Sequence, residues 1–103
     1  MEEEIDYLYE YAKIGLLYFV PLWDSAESLA GKSAPLVRVR EVTLELIGAL
    51  TDRGVRVGPL SHREDRLIEP WNLSREEILL RVAEELEQRS DPLDCIEICG
   101  FTA

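Results

Sequence analysis

A chain of 103 residues, 47% of them hydrophobic and 31% charged, can form one core that hides roughly 60 to 68% of its unfolded surface, and is too short for two. That apolar content excludes general disorder. The longest apolar run, Ile14 to Trp23, is interrupted by Gly15 and Pro21 and falls well short of the ~20 residues that cross a bilayer. The formal net charge of −10 is unevenly spread: residues 1–30 hold seven acids against one lysine, residues 31–73 are nearly balanced, and residues 74–103 hold eight acids against three arginines. Such a field repels nucleic acid and acidic membranes and speeds encounter with a basic protein, although solubility alone also accounts for it. The opening Met1-Glu2-Glu3-Glu4 lacks the positive start of a secretory signal, so a cytoplasmic protein is expected. Two cysteines are too few for a disulfide scaffold.

The periodicity predicts a first helix over Glu2 to Val20, with Ile5, Leu8, Ala12, Leu16 and Phe19 on one face and Pro21 as its stop. Leu16 to Val20 is short and aromatic enough to be a buried strand instead. Tyr7, Tyr9, Tyr11, Tyr18 and Trp23 crowd this region, and they cannot all fit beneath a single helix, so some should be exposed as amphipathic cover or as a contact surface. Asp24 to Leu29 can form a short second helix. Gly31-Lys32-Ser33 lacks the upstream glycine and the strand-to-helix context of a phosphate-binding loop.

Leu36 to Arg53 reads as a long amphipathic helix, with Leu36, Val39, Thr43, Leu46, Ile47 and Leu50 as the stripe around which a core should form and Gly54 as its stop. Val55 to Val57 and Arg66 to Glu69 should pair as a short hairpin across the polar tip Ser61 to Asp65. Ser74 and Glu77 make a capping box for a last helix, with Leu73 and Ile78 as its hydrophobic staple and a stop near Ser90, ahead of Asp91-Pro92. Cys95 to Phe101 is a final extended apolar segment. The expected fold is α+β and mostly helical: one domain over residues 1–103, three main helices and a short antiparallel hairpin, an order also found in winged-helix domains. Trp71 reads as a core plug.

No catalytic constellation emerges. His62 stands alone in an exposed stretch, and neighbouring Ser61 has no reason to converge on it. Cys95 and Cys99 lack a second ligand pair for zinc and the redox spacing of two intervening residues, so buried structural thiols are expected, with no metal and no cofactor. Arg38, Arg40, Arg53, Arg56, Arg63 and Arg66 give the centre its basic character. A DNA-binding regulator would place Arg38 and Arg40 near a recognition helix and Arg63 in a wing, but interleaved acids leave that stretch nearly neutral.

The run Leu46-Ile47, Arg53-Gly54-Val55, Ile68-Glu69-Pro70-Trp71, Leu73 to Glu77 and Ile98-Cys99-Gly100-Phe101 resembles a set of short bacterial proteins of undefined activity. In size, acidity and aromatic content the chain also resembles the immunity proteins of bacterial toxin–immunity systems. That resemblance implies a non-enzymatic inhibitor whose partner is a cognate toxin with a basic domain, such as a nuclease. The surface expected to meet it comprises Glu3, Glu4, Asp6, Tyr7, Glu10, Tyr11, Trp23, Asp24 and Glu27, with Glu76, Glu77, Glu84 and Glu87 as an alternative acidic face. The competing expectation is the winged-helix-like DNA-binding regulator or adaptor.

Overall fold

The computed structural model describes residues 1–89 and 94–103. In chain order it holds α1 (Glu2–Ile14), α2 (Phe19–Ala30), α3 (Leu36–Asp52), β1 (Arg56–Gly58), α4 (Arg75–Glu87), a short 3-10 helix (Asp94–Glu97) and β2 (Gly100–Thr102). The architecture is α+β and mostly helical, as the periodicities predict.

Helix α3 occupies the middle, with α2, α4 and α1 packed around it. Val39, Val42, Thr43, Leu46, Ile47 and Leu50 are buried along its inner face. Thr43 brings a hydroxyl into that apolar setting and donates it to the Val39 carbonyl at 2.8 Å, so burial leaves it satisfied. Leu36, expected on the stripe, is exposed in the first turn. At the other end Gly54 takes φ +90°, where a side chain would be strained. Its N–H donates to the Thr51 carbonyl, and the Val55 N–H reaches back to the Leu50 carbonyl at 3.1 Å. This pair of bonds closes the helix by the Schellman arrangement.

The first helix is shorter than expected. It ends at Ile14, and a second begins at Phe19 rather than Asp24. Pro21 does not stop a helix: it sits in the first turn of α2, where a residue without an N–H costs nothing because the first N–H groups have no intrahelical partner. Between the two helices, Leu17 exchanges backbone hydrogen bonds of 2.9 Å with Phe101, so the strand-like alternative holds for that residue.

The sheet also departs from a plain hairpin. β1 pairs antiparallel with β2, Val57 opposite Phe101. Its other edge meets the expected partner only through an irregular ladder: Trp71 N–H to the Val57 carbonyl, Glu69 N–H to the Pro59 carbonyl and Ser61 N–H to the Leu67 carbonyl, each 2.9 to 3.0 Å. Pro59 accepts there but has no N–H to return, so the pairing is limited to the isolated antiparallel bridge between Leu60 and Ile68. Gly58 is pressed against the same segment. A Cβ at that position would lie 2.0 Å from the Glu69 carbonyl oxygen. The expected final extended segment splits into the 3-10 turn and β2.

Helix α4 starts as its sequence dictates. Glu77 N–H donates to the Ser74 hydroxyl oxygen at 3.2 Å, and Ser74 N–H donates to the Glu77 carboxylate at 3.0 Å. These bonds hold the Glu77 carboxyl below its ordinary range. The stop expected near Ser90 lies outside the described residues. All four helices and both strands feed one apolar cluster, with Leu8, Leu22, Leu46, Leu50, Val82, Leu86 and Phe101 fully buried. Each such side chain contributes about 1.5 to 3 kcal/mol of transfer free energy. Trp71 is half-buried at the margin of this cluster, with the Arg81 guanidinium 4.8 Å above its ring.

Candidate protein-docking surface

Helix α1 carries apolar and aromatic residues on more than one face, and this decides how it can be used. At 3.6 residues per turn its positions fall into four stripes. Ile5, Leu8 and Ala12 face the core and are buried. Glu3 and Glu10 point the opposite way and are exposed. The remaining two stripes flank the core stripe, one on each side.

On one flank stand Glu2, Asp6, Tyr9 and Lys13. Asp6 accepts an ion pair from Arg53 Nη1 at 2.7 Å, and Glu2 lies 3.9 Å from Arg53 Nη2. The Arg53 guanidinium and the Lys13 ammonium lie 5.5 and 5.4 Å from the centre of the Tyr9 ring, and Lys13 also reaches Glu10 at 3.4 Å. Charge and aromatic faces on this flank are met by the chain's own cations.

The other flank is open. Tyr7, Tyr11 and Ile14, at four- and three-residue spacing, are 56%, 37% and 89% exposed. The two rings meet edge to face with centres 6.2 Å apart. Glu4, Tyr7 and Tyr11 form one wall of a hollow of about 410 Å³ whose other wall is Pro21, Asp24, Ser25 and Ser28 of α2. Tyr11 and Ile14 continue into a second, apolar hollow with Gly15 and Leu16. Tyr18 is exposed just beyond in sequence. Glu4 pairs with the N-terminal ammonium at 3.5 Å. Among the described residues no ion pair reaches Glu3, Asp24 or Glu27.

The structure therefore sorts the expected surface. Glu4, Tyr7, Tyr11 and Asp24 come together around one hollow, with Glu3 and Glu10 exposed on the adjoining face of α1. Asp6 lies on the far flank, engaged by Arg53. Glu27 is exposed on α2 but does not line the hollow. Trp23 is a correction: at 3% exposure it belongs to the core, because the helix around it starts at Phe19 and turns Phe19, Leu22, Trp23 and Ala26 inward together. Ile14, Pro21, Ser25 and Ser28 also line the two hollows and are not among the expected residues. The spacing Tyr7, Tyr11, Ile14 was the available signal for the first of these.

The alternative acidic face on α4 is less coherent. Glu77 is committed to the cap, Glu76 and Glu84 are exposed, and Glu87 borders a separate hollow with Val37, Leu44 and Ala83. Of the central arginines, Arg56 is exposed and no ion pair reaches it among the described residues, whereas most of the others are engaged. Arg38 pairs with Glu41 and Glu45, Arg53 with Asp6, Arg63 with Asp65, and Arg66 with Glu69. The Ser61 hydroxyl and Arg66 hold the Glu69 carboxyl low. Arg40 is turned inward: Nη2 donates to the Arg89 carbonyl at 2.8 Å, while Nε is buried without a partner among the described residues.

His62 is exposed. Cys95 and Cys99 are buried, and burial, together with neighbouring Cys95, pushes the Cys99 thiol up, away from the reactive thiolate. Among the described residues no group of three or more histidine, cysteine, aspartate or glutamate side chains is placed to hold a metal ion, and no helix is long and apolar enough to cross a membrane. Comparisons with protein-family models, curated proteins and solved structures yield no match.

Proposed function

We propose that this protein is a non-enzymatic, protein-binding inhibitor of the immunity type, acting in the cytoplasm, and that it neutralises a cognate toxin by docking onto its basic domain through the open flank of α1 and the adjoining wall of α2. One observation carries the reading: Tyr7, Tyr11 and Ile14 are exposed together beside carboxylates that the chain's own cations leave largely unmatched. Two tyrosines and an isoleucine stand exposed on a helix whose core face is already supplied by Ile5, Leu8 and Ala12. Tyrosine anchors in a patch rimmed by charge are the usual energetic centre of a protein interface, each worth about 2 kcal/mol or more when truncated. The excess of acids over residues 1–30 supplies long-range attraction to a cationic surface. A DNA-binding reading has less to draw on, since Arg38 and Arg63 are held by carboxylates and Arg40 is turned inward.

The test is to purify the polypeptide encoded in the reading frame adjacent to this one and measure its association with the chain. The reading expects a stable complex, loss of the toxic activity, and an association rate that drops at least about tenfold between low and high salt. No complex, or a complex that leaves the activity intact, would overturn it.

A further inference from the structure

We propose that the hollow between α1 and α2 is a receptor for a single arginine side chain presented by the protein partner. The proposal rests on the docking reading above, and α1 supplies the template for it.

On its closed flank two carboxylates and a tyrosine ring are met by the Arg53 guanidinium, with the Lys13 ammonium also 5.4 Å from that ring. Arg53 bonds Asp6 at 2.7 Å, lies 3.9 Å from Glu2, and stands 5.5 Å over the Tyr9 ring. The open flank gathers the same kinds of group around one hollow: rings from Tyr7 and Tyr11, carboxylates from Glu4 and Asp24, and the hydroxyl-bearing Ser25 and Ser28. What it lacks, among the described residues, is the cation. Only the exposed N-terminal ammonium approaches, at 3.5 Å from Glu4.

A guanidinium fits this set better than an ammonium. Its plane stacks on an aromatic face while its five N–H groups fan out to acceptors on both walls, whereas a lysine offers a hydrated point charge with no plane to stack. The two flanks also differ in who can complete them. Arg53 follows α3 and reaches the closed flank within the fold, whereas the open flank faces solvent and is accessible to a side chain from outside.

The experiment is a titration of the isotope-labelled protein, followed by amide shifts, with the N-acetyl amides of arginine, of lysine and of citrulline, which keeps the shape of arginine without its charge. The expected result is saturable shifts centred on Tyr7, Tyr11, Asp24 and Ser25 with the arginine probe, binding at least about threefold weaker for the lysine probe, and no response to citrulline. Asp24→Asn should weaken the arginine response severalfold while leaving the melting temperature unchanged, and Asp6→Asn on the closed flank should not weaken it.

Equal responses to arginine and lysine, shifts centred elsewhere, or no saturation would overturn the proposal. The two readings fail separately. If arginine titrates the hollow while the adjacent-frame polypeptide does not bind, inhibition falls and the receptor stands. If that polypeptide binds with an affinity indifferent to Asp24→Asn and to added arginine amide, the receptor falls and inhibition stands.

Discussion

Helix α1 presents two apolar stripes of similar size and opposite fate. Ile5, Leu8 and Ala12 are buried against the core, whereas Tyr7, Tyr11 and Ile14, on the same thirteen-residue helix, remain in water. Both stripes have helical spacing, so periodicity alone cannot rank them. The difference is composition. The buried stripe is purely aliphatic and needs no polar partner, while the open one carries phenol groups that can be wet at one end and apolar along the ring. Folding uses the first stripe; in the proposed reading a partner covers the second.

Substitutions along α1 can break or sharpen that contrast. Leu8→Ala should cost about 2 to 5 kcal/mol in a denaturant titration, because Leu8 is fully buried and its truncation removes buried apolar atoms from the core. Ser74→Ala, remote from both stripes, calibrates a local effect at about 1 kcal/mol through loss of the α4 cap. The same cap predicts an acid limb. Glu77 has a folded-state value below its ordinary 4.5, so its contribution is complete above that value and is lost as the pH falls through the lower folded one. Glu77→Gln should flatten the decline in melting temperature over this acidic range.

Asp6→Asn, which frees Arg53 on the closed flank, should cost about 0.2 to 1 kcal/mol, the range of exposed ion pairs. The smallest effect on folding belongs to the open stripe: Tyr7→Ser combined with Ile14→Ser should change stability by no more than about 0.5 kcal/mol. A loss comparable to that of Leu8→Ala would place the open stripe among the residues that hold the fold.

Elements whose signals are local were legible from the residues. The long stripe of α3, the glycine that ends it and the Ser74/Glu77 box each sit within a few positions of what they control, and each is found where expected. The division of residues 14–23 was not. Pro21 can end one helix or open the next, and the choice is made by Leu17, which is drawn into a bridge with Phe101 from the far end of the chain. Pairing of β1 with β2 is equally non-local, so the nearby stretch Arg66 to Glu69 reads as the whole partner when the segment it belongs to is only half of one.

The same ambiguity misplaced Trp23. An aromatic residue just after an apparent helix stop reads as surface, whereas inside α2 it faces the core. Tyr7, Tyr11, Glu4 and Asp24 could be chosen from composition and charge, but their convergence on one hollow depends on how α2 packs beside α1.

The most direct test measures folding and binding on one variant, Tyr7→Ala with Tyr11→Ala and Ile14→Ser, against the polypeptide encoded in the adjacent frame. The account predicts a melting temperature within about 4 °C of the parent and an affinity at least about a hundredfold weaker. Undiminished affinity with an intact fold would contradict it.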